Sequence, residues 1–108
     1  MQPPIGDAFA ALGDPTRRRI VELLAAHDGR SVGQLASELP ISRPGVSRHL
    51  ALLKRAGLVV DEPRGTRRIY RLQAEGVDAV RGYLEQLWGQ TAHSFRHAAE
   101  GKSGQADR

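Results

Sequence analysis

The sequence predicts a mainly α-helical domain with one small β-hairpin, on two observations. Apolar residues recur at helical spacing through most of the 108-residue chain, in segments that end at glycine. The segment after residue 57 instead alternates apolar and polar residues around a Pro-Arg-Gly-Thr turn, which is typical of a hairpin. A chain of this length forms one domain with a modest core, and dimerisation often adds the stability that such a core lacks.

Capping residues and glycines mark the first three helices. The segment IGDAFAAL predicts a short apolar helix. In DPTRRRIVELLAAHDG, Asp14 is the expected N-cap, Pro15 occupies the first helical position, and Gly29 ends the helix. The third helix, SVGQLASEL, begins with a capping box formed by Ser31 and Gln34.

The segment ISRPGVSRHLALLKRAGL predicts a fourth helix with two unlike faces, over residues 42–56. One face is apolar and carries Val46, Leu50 and Leu53. The opposite face carries small and basic residues, namely Pro44, Ser47, Arg48, Ala51 and Arg55. A solvated amphipathic helix is the commonest meaning of this pattern. In a helix-turn-helix unit, however, the second helix packs by its apolar face and presents the other face to the major groove of DNA.

The hairpin that follows is rich in arginine. In LVVDEPRGTRRIYRL, apolar positions alternate at Leu58/Val60 and at Tyr70/Leu72. Three arginines lie at or near its tip, Arg64, Arg67 and Arg68. A basic hairpin next to such a helix strengthens the DNA-binding interpretation, because it can reach phosphates or the minor groove.

Positive charge is concentrated in this part of the chain. Between Ser42 and Arg71, eight Arg or Lys residues and two acidic residues give a net charge of +6, whereas the whole chain carries +4. Basic patches of this kind are typical of proteins that bind phosphate backbones. The run Arg17–Arg19 is expected to be a solvated face instead, because three consecutive helical residues cannot all point one way.

A final helix is predicted from about Glu75 to Glu100, followed by a disordered tail at residues 101–108. Its apolar residues follow the 3-4-3-4 spacing of a packed helix pair at Val77, Val80, Leu84, Leu87 and Thr91. Aromatic residues lie beside that row at Tyr83, Trp88 and Phe95. We expect this face to form the seam of a homodimer; an effector pocket lined by the aromatic residues is the second interpretation.

The stretches ALGDPTRRRIVELL, LASELPISRPGVSRHLALLKRAGLV and GTRRIYRL resemble the winged helix-turn-helix repressors of the arsenical-repressor (ArsR/SmtB-like) family. The resemblance spans about three-fifths of the chain, from Phe9 to Leu72. It implies a homodimeric repressor that binds a palindromic operator of double-stranded DNA and leaves it when an effector binds. Residues 1–100 would form the DNA-binding domain, and residues 75–100 its dimerisation helix.

The resemblance also implies which residues act. The recognition helix at residues 42–56 and the wing at residues 62–68 would contact DNA through Ser42, Arg43, Ser47, Arg48, His49, Arg64, Thr66, Arg67 and Arg68. The first and last helices would form the dimer interface through Ile5, Phe9, Val77, Val80, Leu84, Leu87, Trp88 and Phe95.

The chemistry of each residue predicts whether it contacts a base edge or a phosphate. Ser47 is short and central, so we expect it at a base edge. Arg43 and Arg48 are expected at phosphates first, because most protein–DNA hydrogen bonds go to the backbone. For His49, at the border of the apolar face, the sequence favours a phosphate contact and a purely structural role equally.

Three kinds of effector response fit the sequence. The chain contains no cysteine, which excludes the Cys-x-Cys site by which many members of the family sense metals. His93 and His97 are four residues apart on one helical face, a geometry that zinc or nickel can use, although two exposed histidines are the commoner meaning. A small molecule bound in the dimer seam also fits, as does a repressor that needs no ligand, and no cofactor is expected.

Other function classes fit the sequence less well. A protein-interaction module that has lost DNA binding predicts an uncharged or acidic recognition face, contrary to the net charge of +6 at residues 42–71. An enzyme needs a paired acid and base, an activated nucleophile or a glycine-rich phosphate loop, and the sequence has none of these. The chain also lacks a long apolar run and a secretory signal, so we expect a cytoplasmic DNA-binding repressor.

Overall fold

Four helices and a small sheet form the core, and a much longer fifth helix extends from it. The computed structural model describes the backbone of residues 2–106 and the side chains of residues 2–99. In chain order the elements are α1 (Ile5–Leu12), α2 (Pro15–Ala26), β1 (Arg30–Ser31), α3 (Val32–Ser37), α4 (Arg43–Arg55), β2 (Val59–Arg64), β3 (Arg67–Leu72) and α5 (Ala74–Ala106). The predicted fold class is confirmed. Over this part of the chain, no helix combines the length and the apolar character that crossing a membrane requires.

The predicted N-caps of α2 and α3 are confirmed, but the predicted end of α2 at Gly29 is wrong: α2 ends at Ala26, and His27, its C-cap, is already extended. Asp14 Oδ2 accepts a hydrogen bond from the backbone N–H of Arg17 at 3.0 Å, and Pro15 is the first residue of α2. In the capping box of α3, Gln34 Oε1 accepts from Ser31 N–H at 2.8 Å, and Ser31 Oγ accepts from Gln34 N–H at 3.2 Å. These bonds satisfy backbone donors that have no partner within their own helix, so each turn stays where the sequence places it.

The sheet contains one strand more than predicted. The two-residue β1 pairs antiparallel with β3, which gives the strand order β1-β3-β2. The chain enters β1 through Gly29, whose φ is +93°. A Cβ at this position would lie 2.7 Å from Ile69 Cγ2, so glycine permits both the left-handed backbone and the close approach to β3. A strand of two residues has no alternation, and the sequence pattern therefore missed it.

The hairpin is confirmed, but the inward-facing residues of β2 are shifted by one from the prediction. Val59 is buried and Val60 is 41% exposed, whereas the predicted alternation paired Leu58 with Val60. Leu58 is buried for another reason: its N–H donates to the Leu53 carbonyl at 3.0 Å, as in the Schellman motif that ends a helix. The strand begins after this turn, so its pleat starts one residue later.

Three side chains with no exposed surface hold α4 in the core, Val46, Leu50 and Leu53. They belong to one apolar cluster with Ile20 of α2 and Leu35 of α3, which are also fully buried. Burying a side chain of this size contributes about 1.5–3 kcal/mol. The apolar face of the fourth helix is therefore the face that the sequence predicts.

The last helix continues past its predicted end. α5 is Ala74–Ala106, and its backbone stays helical over residues 101–106, where we expected a tail. Residues 107–108 lie outside the described residues, and disorder there stays a prediction. Near its start, α5 packs on α1, where the rings of Phe9 and Tyr83 meet edge to face with centroids 5.4 Å apart.

We expect Leu53→Ala to lower the free energy of unfolding by about 2–5 kcal/mol, because it leaves a cavity beneath α4. Its neighbour Leu52 is 41% exposed on the same helix, so Leu52→Ala is the matched control and should cost less than about 1 kcal/mol. Urea unfolding followed by circular dichroism, at equal protein concentration, measures both. Equal losses in the two variants would contradict the packing described above.

Candidate functional site

The exposed face of α4 carries the residues that the sequence places there. Ser42 is its N-cap and accepts a hydrogen bond from Gly45 N–H at 3.2 Å. The exposed side chains of the helix include Arg43, Pro44, Ser47, Arg48, Ala51 and Arg55. Because the apolar face is fully buried, this small and basic face can only point outward.

The recognition helix and the wing line one cleft of about 600 Å³. Five of the nine predicted DNA contacts lie around it, Arg43, Ser47, Thr66, Arg67 and Arg68. The helix α3 forms the opposite wall, where a Cβ at Gly33 would lie 3.2 Å from Arg43 Nη2. Glycine at this position therefore lets the Arg43 guanidinium lie close against α3.

The wing ends in a two-residue turn. Arg64 and Arg67 are paired across the strands, and only Gly65 and Thr66 connect them. Gly65 has a φ of +64°, the positive value that a type II′ turn requires at this position. The turn thus places one arginine on each side of the wing tip.

A nearly buried carboxylate joins the wing to the recognition helix. Asp61 is 6% exposed at its side chain; its Oδ1 lies 2.7 Å from Lys54 Nζ, and its Oδ2 accepts from Arg68 Nε at 2.6 Å. Hydrogen bonds from Lys54 and then from Arg68 lower the pKa of Asp61 below its ordinary value. In the sequence, Asp61 is only one of two negative charges between residues 42 and 71, and nothing there indicates this link.

A second acidic residue pairs two more arginines of the wing. Glu62 Oε1 accepts from Arg71 Nη1 and, at 3.2 Å, from Arg64 Nη2. The bond from Arg71 is the main reason that the pKa of Glu62 is lowered. Arg71 also donates through Nε to Asp28 Oδ1 at 3.2 Å, which ties β3 to the end of α2.

The eight basic residues between residues 42 and 71 therefore fall into two groups, those with an ion-pair partner and those without one among the described side chains. Lys54, Arg64, Arg68 and Arg71 each lie beside a carboxylate. Four other arginines between residues 42 and 71 have no ion-pair partner among residues 2–99, namely Arg43, Arg48, Arg55 and Arg67. Three of these lie on the exposed face of α4 and one lies at the wing tip.

His49 points toward α2 rather than away from the protein. Its Nδ1 accepts a hydrogen bond from Arg17 Nη1 at 3.4 Å and lies 4.0 Å from Asp14 Oδ2. Arg17 in turn donates from Nε to the Ala11 carbonyl at 2.7 Å. Arg18 also donates to a backbone carbonyl, that of Leu12 at 2.8 Å. The expectation of a plain solvated face is therefore wrong for Arg17, which links α1, α2 and α4.

The predicted dimer residues divide into two groups. Val80 is half-buried and packs against the core of its own chain, and Val77 lines a small apolar cleft with Leu58 and Leu72. Ile5 and Phe9 are half-buried on α1. Large apolar side chains farther along α5 are exposed instead, Tyr83 44%, Leu84 48%, Leu87 47%, Trp88 72% and Phe95 77%. The open apolar face thus begins later in α5 than predicted.

His93 and His97 are both exposed on α5. Within the side chains that the structure describes, no three His, Cys, Asp or Glu residues come together as metal ligands. A zinc site at these histidines needs ligands beyond the side chains that the structure describes.

The family model of a helix-turn-helix domain matches residues 12–62, which run from the end of α1 into β2. The chain is 54% identical over 81 residues to the HTH-type transcriptional regulator Rv2034 of Mycobacterium tuberculosis, covering 75% of each chain. It is 44% identical over 80 residues to the arsenical resistance operon repressor of Escherichia coli, covering 74% of this chain and 68% of the repressor.

Solved structures share the fold. An ArsR-like transcriptional regulator from Rhodococcus is 30% identical, with a TM-score of 0.73 over 84% of this chain and 85% of that one. The homodimeric winged helix-turn-helix DNA-binding domain Mb0332 of Mycobacterium bovis is 28% identical, with a TM-score of 0.65 over 80% of this chain and 79% of that one.

We expect Asp61→Asn to lower the melting temperature at pH 7 by roughly 2–5 °C, because it weakens the bonds to Lys54 and Arg68. The carboxylate has a lowered pKa in the folded protein, so its stabilisation is complete above its ordinary value of 3.8 and is lost as the pH falls through the lowered value. The difference between the two proteins should therefore shrink in acid. Thermal melts from pH 7 to pH 3 measure it, with Asp78→Asn on exposed α5 as the control; a difference that stays constant with pH would contradict this role.

Proposed function

The chain belongs to the ArsR-like winged helix-turn-helix family of transcriptional regulators, and we propose that it represses transcription as a homodimer that binds a palindromic operator through α4 and the wing. The observation that carries this proposal is the single cleft between α4 and the wing, lined by basic and hydroxyl side chains. As a DNA-binding regulator the protein acts where the chromosome is, in the cytoplasm.

The recognition helix enters the major groove with its exposed face toward the bases. Ser47 lies at the centre of that face and within the cleft, and it reads a base edge. Arg43 and Arg48 have no carboxylate partner among the described side chains, so they reach phosphates without first breaking an ion pair. Ser42 caps the helix and contacts the backbone beside it.

The wing contacts the adjacent backbone through its tip. Arg67 and Thr66 line the cleft, and Arg67 has no acidic partner in the described part of the chain, which makes it the main phosphate contact of the wing. Arg64 and Arg68 contribute while they remain beside Glu62 and Asp61. His49 serves mainly to hold α4 against Arg17, and a phosphate contact is secondary for it.

Homodimerisation covers the open face of α5. The five large apolar side chains between Tyr83 and Phe95 are 44–77% exposed in one protomer, and a stripe of this kind typically marks an interface. The homodimeric state of the Mb0332 domain supports the same arrangement here. Two recognition helices related by a two-fold axis then address half-sites about 34–36 Å apart.

We expect Ser47→Ala and Arg43→Ala to weaken operator binding in different ways. Ser47→Ala should relax base preference at one position of each half-site, at about 1 kcal/mol per half-site. Arg43→Ala removes one phosphate contact per protomer, so it should weaken binding to all sequences and reduce the slope of log K against log salt by about 2 for the dimer. Gel shifts at several salt concentrations, on the upstream region of the gene, measure both effects.

The control for these variants is Arg19→Ala, which removes an exposed arginine of α2 that pairs with Glu22 at 3.5 Å. It should leave both affinity and salt slope unchanged. Binding by the parent protein that does not respond to salt, or no binding to any DNA tested, would overturn the proposed function.

We expect Leu87→Asp to convert the dimer to a monomer, because it places a charge in the centre of the apolar stripe. Gln86→Asp adds the same charge to the neighbouring exposed position and should leave the dimer intact. Sedimentation equilibrium measures the association, and a gel shift measures the accompanying loss of operator affinity. A Leu87→Asp protein that remains dimeric would place the interface elsewhere.

A further inference from the structure

At Gly76, the start of α5 meets the turn that follows the recognition helix through backbone atoms. Gly76, in the first turn of α5, is buried, and a Cβ added to it would lie 1.8 Å from the Gly57 carbonyl oxygen and 2.8 Å from its carbonyl carbon. Carbon and carbonyl oxygen normally approach to about 3.3–3.6 Å. Any other residue at this position would therefore have to move the two elements apart by roughly 1.5 Å.

Gly57 belongs to the turn that ends α4. Its φ is +79°, and its N–H donates to the Lys54 carbonyl at 3.0 Å. The next residue, Leu58, accepts a hydrogen bond from Gln73 N–H at 2.9 Å, which fixes the chain just before α5 to the same turn. On the other side of Gly57, an added Cβ would lie 3.0 Å from Pro3 Cδ. The turn is held on two sides, and at Gly57 no side chain lies between its backbone and α5.

The same helix carries the open apolar face. Tyr83, Leu87 and Phe95 are 44–77% exposed on α5, beyond the contact with Gly57. If the dimer forms through this face, the placement of each α5 determines the placement of α4 in the same chain through the backbone contact between Gly76 and Gly57. Rigid elements in direct contact transmit position better than side chains that can change rotamer.

We propose that Gly76 is a positioning residue that sets the distance between the two recognition helices, and thereby the half-site spacing that the dimer accepts. This inference rests on the proposed function, since it concerns the same dimer on the same operator. Gly76 touches no DNA in this arrangement. It acts through Gly57 and the end of α4.

Gly76→Ala tests the inference, and the same helix offers matched controls. A Cβ at Gly82 or at Gly89 meets no atom within 4 Å, so Gly82→Ala and Gly89→Ala make the same chemical change without the contact. Selection from a library of palindromes with varied half-site spacing should give a shifted or broader spacing for Gly76→Ala. Its affinity for the operator chosen by the parent protein should fall about tenfold or more, as for one or two mismatched base pairs. Both controls should select the parent spacing.

A distance measurement separates positioning from a loss of stability. The chain has no cysteine, so Ala51→Cys on the exposed face of α4 introduces one spin label per protomer. Double electron–electron resonance on the DNA-free dimer measures the distance between the two labels. This distance should be shifted or more broadly distributed in Gly76→Ala and unchanged in Gly82→Ala. Gln73→Pro, which removes the hydrogen bond to Leu58 without adding bulk at Gly57, should broaden the same distance and decides the matter if Gly76→Ala does not fold.

Failure of the positioning role of Gly76 can be distinguished from failure of the proposed function. If the parent protein neither dimerises nor binds DNA, the function itself is wrong. If the parent binds and Gly76→Ala and Gln73→Pro keep the parent distance and half-site spacing, the function stands and the positioning role of Gly76 is overturned.

Discussion

The orientation of α4 is the constraint on which the rest of the molecule depends. Val46, Leu50 and Leu53 are fully buried, so the helix can rotate only by exposing one of them to water. Its remaining face, with Ser47 at the centre, is thereby fixed outward by apolar packing. Asp14 and Arg17 then restrain the side of the helix through His49. A surface that reads bases must be held in position by the residues packed beneath it, and here the buried apolar face of α4 does this.

The charges around this helix show why a net charge describes a binding surface incompletely. Residues 42–71 carry +6, yet Asp61 and Glu62 lie beside four of the eight basic side chains. The acidic residues therefore do more than subtract charge. Each ties the wing to another part of the fold, Asp61 to α4 through Lys54 and Glu62 to the end of α2 through Arg71 and Asp28. The arginines that have no ion-pair partner in the described part of the chain remain where DNA is expected.

The sequence predicted those features whose causes lie within a few residues of one another. The caps at Asp14 and Ser31 and the two faces of α4 depend on local spacing, and the structure confirms them. Features that depend on partners far along the chain could not be predicted from the sequence. Asp61 is buried by groups from two other elements, Arg17 meets a histidine 32 residues away, and Gly76 meets Gly57 across the whole hairpin. The one-residue shift in β2 has a local cause, the Schellman turn at Leu58. Because this turn also buries Leu58, the sequence pattern wrongly indicates Leu58 as the first inward-facing residue of the strand.

The two connections to α4 differ in a way that matters for binding DNA. The wing is held to α4 by the ion pairs of Asp61 with Lys54 and Arg68, a connection made by charged side chains. The contact between Gly57 and Gly76 contains no charge and no rotatable side chain, so salt and phosphate leave it unchanged. Half-site spacing must be set before DNA is encountered, whereas phosphate contacts form during the encounter. A rigid backbone contact suits the first requirement. Arginines that need not leave an ion pair, such as Arg43 and Arg67, suit the second.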